Sequence, residues 1–280
     1  MRPLTLALTV LVAAVAPATA QVLTADARVV YGHHHVNATD IAAHKRFWID
    51  GLGGTSVKIG TAPNEVVKFP GVLVFLTARA ATGGSKGTVV NHVGFETPDL
   101  RAAVDRVTAA GFPVVTAQEV PSTYTVKDGL AQGPTGNLIA FVMGPDDTKV
   151  ELTHNPAATP MQLHHVHFAT PDGEAMRAWY ERMLGVRPGT RVGQPAGDLP
   201  GVNLTYGPTP TDVVGTRGRA YDHIGFEVKD LEAFCRDLEA RGVKLDRPYT
   251  RVPALGIAIA FLTDPWGTYI ELTEGLAAVR

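Results

Sequence analysis

The chain has 280 residues, a length that corresponds to about two domains of ordinary size. Its 25 basic and 27 acidic residues leave a formal charge of −2, without the basic excess of a nucleic-acid-binding protein. Apolar residues at 45% exclude a disordered chain, and the single cysteine, Cys235, excludes both a disulfide framework and a cysteine-based zinc cluster. Six of the ten histidines crowd into two short segments, 33–35 and 164–167, and draw attention first.

At the start of the chain, Arg2 precedes an apolar run over 4–16, and Ala18-Thr19-Ala20 follows as a small-residue cleavage site. This layout predicts a secretory signal peptide over 1–20, cut before Gln21, and a secreted or periplasmic protein. The run, about 13 residues, is too short to span a bilayer, so no membrane span is expected.

The rest of the chain repeats itself. NHVGFETPDLRAAVDRVTAAGF (91–112) and DHIGFEVKDLEAFCRDLEARGV (222–243) align without a gap. LIAFVMGPDDTKVELT aligns with IAIAFLTDPWGTYIELT, FPGVLVFL with LPGVNLTY, and GHHHVNATD with LHHVHFATPD. Residues 31–154 and 163–274 are therefore two copies of one unit, each made of two shorter ones, with NPAATP (155–160) as the linker. The expected domains are 21–155 and 161–280.

Each short unit opens on a histidine-bearing strand. An aspartate that caps a helix follows, Asp99 or Asp230 in the clearest pair, with Asp40 matching Asp172. The helix after Asp99 has Leu100, Val104 and Val107 on one face. Gly111 and Gly242 suit the left-handed residue that closes a helix, and short strands bounded by Gly and Pro complete the unit. Four such βαβββ modules make an α+β protein. Cys235 falls on the apolar face of its helix and reads as a buried, inert thiol.

The chemistry sits on matched strand positions. Counting back seven residues from each aspartate selects His33, His92, His165 and His223. A slip of one or two residues would select His34, His35, His164 or His167 instead. Glu151 and Glu271 share a register on the last strands of the second and fourth modules, and an inward carboxylate needs a partner to offset its desolvation. Pairing each copy on itself yields His33, His92, Glu151 and His165, His223, Glu271. Two imidazoles and a carboxylate with open positions suit non-haem Fe(II) and can hold Mn, Ni, Co or Zn, so one or two divalent ions are expected. Aligned on Pro-Gly-Val, Asn203 matches Leu73 and is a candidate fourth ligand or substrate contact. Tyr206, His167 and Tyr269 are further candidates for the ligand surround, and Trp266 reads as a turn-packing aromatic.

Four βαβββ modules carrying a His, His, Glu set resemble the vicinal oxygen chelate superfamily, which includes glyoxalases, bleomycin-resistance proteins and extradiol dioxygenases. NHVGFETPDL, DHIGFEVKDL and DPWGTYIELTE carry the resemblance. It implies modules paired into two half-barrel domains, a divalent metal, a small-molecule substrate with vicinal oxygens, and a catalytic role for Glu271. The second metal-binding Glu of glyoxalase I is replaced by Asn203 or Leu73, and Leu262 stands where extradiol dioxygenases carry a Tyr. A lyase or isomerase acting on a small oxygenated compound is therefore the first expectation. An Fe(II)-dependent dioxygenase and a non-catalytic binder of small molecules or metal are the alternatives.

Overall fold

The computed structural model describes residues 27–209 and 212–276; the expected signal peptide lies outside them. In the first module, strands β1 (Val29–Ala38), β2 (Thr55–Val57), β3 (Glu65–Phe69) and β4 (Val72–Ala78) enclose helix α1 (Ile41–Lys45), which runs into a π-turn over Arg46–Gly51. The second contains β5 (Val90–Thr97), helices α2 (Leu100–Ala109) and α3 (Thr116–Glu119), then β6 (Thr125–Lys127), β7 (Leu130–Gln132), β8 (Leu138–Met143) and β9 (Lys149–His154). The third has β10 (Gln162–Thr170), α4 (Gly173–Leu184), β11 (Arg187–Arg191), β12 (Gln194–Leu199) and β13 (Val202–Pro208). The fourth has β14 (Tyr221–Val228), α5 (Leu231–Ala240), β15 (Leu245–Val252), β16 (Ile257–Thr263) and β17 (Tyr269–Glu274).

Local chemistry explains the module boundaries. Each main helix begins on an aspartate whose carboxylate accepts backbone N–H groups of the first turn: Asp40 from Ala42 and Ala43, Asp99 from Ala102, Asp172 from Ala175 and Asp230 from Ala233. Gly111 and Gly242 follow α2 and α5 at φ 91° and 84°, where a side chain would be strained. Leu100, Val104 and Val107 are buried against the sheet, as is Cys235, whose thiol burial pushes up to about 11. Among the described residues no helix is long and apolar enough to cross a membrane.

The modules close into two curved sheets, and the partnership crosses the repeat. One sheet runs β15-β16-β17-β14-β1-β4-β3-β2, joining the first module to the fourth; the other runs β11-β12-β13-β10-β5-β9-β8-β7-β6, joining the second to the third. The expected closure of each copy on itself is therefore replaced by an exchange. Connection lengths account for it. The short link over 155–161 carries the chain from β9 directly onto β10, which pairs antiparallel with β5 in the same sheet. The longer links over 79–89 and 209–220 are the ones that pass between sheets, and β14 returns to pair antiparallel with β1.

Candidate metal centres

The exchange decides which residues meet. At the centre of the first sheet, His33 Nε2 and His223 Nε2 lie 2.9 and 3.0 Å from the same oxygen of Glu271. At the centre of the second, His92 Nε2 and His165 Nε2 lie 2.9 and 3.3 Å from one oxygen of Glu151. All six expected residues are used, in groupings that differ from those expected: His33 belongs with His223 and Glu271, and His92 with His165 and Glu151. Each group gains a third imidazole. His35 joins the first and stacks on His223 at 4.2 Å, while His167 joins the second and stacks on His92 at 4.6 Å. His34 faces the other way, with Nδ1 2.6 Å from the Tyr31 hydroxyl, and His164 reaches only the Nδ1 of its neighbour His165.

Two features of the central strand pairs create this convergence. Cross-strand register sets His33 opposite Gly225 and His165 opposite Gly94. A methyl at either glycine would overlap the facing imidazole, so the absent side chain is what admits the ring. Bulges then place Asp222 and Asn91 as the extra residues between paired positions of β14 and β5. A bulge turns a side chain toward a face it would otherwise avoid. Here Asp222 reaches Nδ1 of His223 at 2.7 Å, and Asn91 reaches Nδ1 of His92 at 2.9 Å.

The Asp222 contact fixes a proton. A carboxylate only accepts, so Nδ1 of His223 donates to Asp222, and the neutral ring then presents its Nε2 lone pair to the Glu271 oxygen. Two lone pairs at 3.0 Å repel unless a second proton or a cation lies between them. Although burial opposes it, Asp222 and Glu271 raise the pKa of His223. Burial opposes ionisation of Glu271 as well, yet the two imidazoles hold its carboxyl well below the usual range. Glu151 is held down in the same way by His165 and His92, while burial lowers His92 to about 4 and His165 to about 3. Carboxylates held ionised beside buried imidazoles, with Nδ1 of His223 and His92 engaged by Asp222 and Asn91 and the Nε2 atoms turned to the glutamates, are the donor set of a divalent-metal centre and its supporting partners.

Buried imidazoles also make a prediction about acid. His34 at about 3, His92 at about 4 and His165 at about 3 all lie below the ordinary 6.5 because burial disfavours the charged ring. The unfolded chain therefore binds protons that the folded chain refuses, and stability falls as pH drops from 6.5 towards 4. Each imidazole contributes at most about 2 kcal/mol by pH 5, and the raised His223 partly offsets the loss. Urea titration of metal-free protein should give a lower midpoint at pH 5 than at pH 7; an equal or higher midpoint would contradict this assignment.

Asn203 belongs to neither centre. Its amide donates to Asp198 at 2.9 Å and its carbonyl accepts from the Thr205 hydroxyl at 2.8 Å. In register, Glu271 stands beside Gly225 and Glu151 beside Gly94; the corresponding places in the other two modules are Phe75, beside His35, and Thr205, beside His167. Asn203 and Leu73 lie two residues earlier, opposite His165 and His33. Pro-Gly-Val marks the hairpin turn, and the ligand row lies two residues further along the strand than Asn203 and Leu73. Tyr206 packs in the core against Phe168 and Tyr180, Tyr269 stacks on Phe261 beside His223, and Trp266 sits on a turn held by Asp264.

The surroundings distinguish the two centres. Phe75, Phe261 and Tyr269 crowd the first, with Arg217 over the Tyr269 ring at 4.5 Å. A cavity of about 350 Å³ opens over the second, lined by His92, Glu151, His167, Lys149, Arg191 and Phe141 among others.

Comparison with known proteins identifies the family and the fold. The family model described as Glyoxalase/Bleomycin resistance protein/Dioxygenase superfamily matches residues 30–141 and again 162–272. The chain belongs to that superfamily. Mitochondrial methylmalonyl-CoA epimerase from Bos taurus is 25% identical over 147 residues, 45% of this chain and 84% of the epimerase. A Brassica oleracea var. gemmifera protein assigned provisionally as a lactoylglutathione lyase is 28% identical over 197 residues, 65% of each chain. Crystalline glyoxalase I from Zea mays superposes with a TM-score of 0.66 over 88% of this chain and 92% of its own, at 19% identity, a likeness of fold.

Proposed function

We propose that this chain is an exported, divalent-metal-dependent enzyme of the superfamily, a glyoxalase-like lyase or isomerase acting on a small oxygenated compound. The observation that carries the reading is the pair of inward Nε2 atoms on one buried Glu271 oxygen, with the His223 tautomer set by Asp222. His33, His223 and Glu271 would hold one ion, and His92, His165 and Glu151 a second, with His35 and His167 as adjoining imidazoles. A divalent ion so held supplies Lewis acidity towards neighbouring substrate oxygens, since three protein ligands leave positions open.

The chain's own groups do the rest. Asp222 and Asn91 orient the ligand rings. Glu271 is the group we assign to proton movement, because its carboxyl is held well below the usual range and touches both imidazoles of the first centre. The rings of Phe75 and Phe261 pack edge-on against His33 and His223. Similarity to an epimerase and a lyase supports this class of reaction.

A second reading, an Fe(II)-dependent dioxygenase, is favoured by the two-His-one-Glu set with Phe75 and Thr205 where a further carboxylate would stand. Elemental analysis of untagged mature protein, purified without chelator, separates the readings. Zinc, nickel, manganese or cobalt without oxygen uptake is the expected result. Iron with substrate-dependent oxygen uptake would establish the dioxygenase. No uptake of any metal on reconstitution would leave a non-catalytic binding protein.

A further inference from the structure

The second centre has an arginine aimed at its carboxylate, whereas the arginine beside the first, Arg217, lies over the Tyr269 ring. Arg191, at the end of β11, points its guanidinium at the centre, its Nη2 paired with Oε1 of Glu151 at 3.7 Å, beyond hydrogen-bond range. Its side chain is 18% exposed, and among the described residues no other acid faces it. Lys149 lies on the same wall, two residues before Glu151, where the first centre has Tyr269. Its ammonium is buried, 2.8 Å from Glu119, which also binds Lys86 at 2.8 Å. Glu119 is thus neutralised by two lysines, and the acid that faces Arg191 is Glu151, a residue of the centre itself. Two further polar atoms on this wall, Nδ1 of His167 and Oε1 of Gln194, are buried without partners. Buried polar atoms without partners, in a cavity that a guanidinium also lines, are costly unless a ligand completes them.

We infer that the second centre binds a small carboxylate bearing an oxygen on the adjacent carbon, a 2-hydroxy or 2-oxo acid, with Arg191 holding the carboxylate. This rests on the reading that His92, His165 and Glu151 hold a divalent ion. The planar guanidinium presents paired donors that match a carboxylate's two oxygens. Its nearness to Glu151 puts that carboxylate within one carbon of a ligand oxygen reaching the open side of the centre. A volume of about 350 Å³ stands at the small end of ligand pockets and admits an acid of a few carbons. The first centre, walled by aromatic rings and with Asp222 beside its histidine, lacks this feature.

The test compares glycolate with its neutral isostere glycolamide by ligand-observed NMR, on full-length mature protein whose metal content is measured in the same sample. Wild-type protein should bind glycolate at least about tenfold more tightly, the usual margin for a hydrogen-bonded charge pair. Arg191→Gln should erase most of that preference at unchanged metal content, Arg191→Lys should keep part of it, and Arg217→Gln, at the other centre, should keep all of it. Equal binding of the two probes, no binding of either, or a preference that survives Arg191→Gln would overturn the inference. A protein without metal that still prefers glycolate through Arg191 would sink the metal reading alone; a metal-loaded protein without the preference would sink the inference alone.

Discussion

Glu271→Ala should remove one of two metal equivalents, and Glu151→Ala should remove the other. The decisive comparison lies in the double variants. Because His33 and Glu271 serve one centre, His33→Ala/Glu271→Ala should still retain one equivalent. His33→Ala/Glu151→Ala, one change in each centre, should retain none. Closure of each repeat copy on itself would give the opposite pattern, so the two double variants discriminate the exchanged sheets from the unexchanged ones. Loss of a ligand should cost more than the roughly 10–100-fold in affinity that follows loss of an outer partner. Full metal retention in either single glutamate variant would refute the assignment of that centre.

Gly225→Ala should empty the first centre without touching a ligand. The added methyl would overlap the His33 ring, so the imidazole must turn out of the centre or the β1–β14 pair must open. Overpacking of this kind costs about 1–3 kcal/mol, visible as a lower urea midpoint, together with loss of one metal equivalent. Gly94→Ala should do the same at the second centre through His165. Gly189→Ala, where nothing lies within 4 Å of the new methyl, should leave both centres filled and stability near its starting value. Retention of both equivalents in Gly225→Ala would show that the close approach of ring and backbone is not required.

Much of this architecture is legible in the sequence. The module count, the helix caps Asp40, Asp99, Asp172 and Asp230, and the buried faces of the helices follow from local rules of capping and periodicity. Those rules act within a few residues, and the chain obeys them. Four histidines and two glutamates stood out because both repeats kept them in one register.

Other residues of the centres carried a weaker signal. His35 and His167 were visible as alternatives, and only their stacking on His223 and His92 shows that they add to the set. Gly94 and Gly225 recur two places after a histidine, in His-Val-Gly and His-Ile-Gly, a spacing that marks a close approach by the facing strand once it is looked for. Asp222 and Asn91 directly precede a histidine, and strand alternation would send them to the opposite face. The bulges reverse that, and bulges belong to a strand pair, not to one strand.

The sequence by itself determined what each module is: where its strands and helix begin, which residues are candidates to face inward, and that a carboxylate and imidazoles lie among them. Only the tertiary structure decided which module closes on which. All four opening strands present histidines in equivalent register, so any pairing of modules would bring imidazoles together, and local sequence does not choose among them. The choice lies in the connections, because the short link over 155–161 holds the second and third modules in one sheet and sends the first to the fourth. That is why Glu271 meets His33 across the length of the chain.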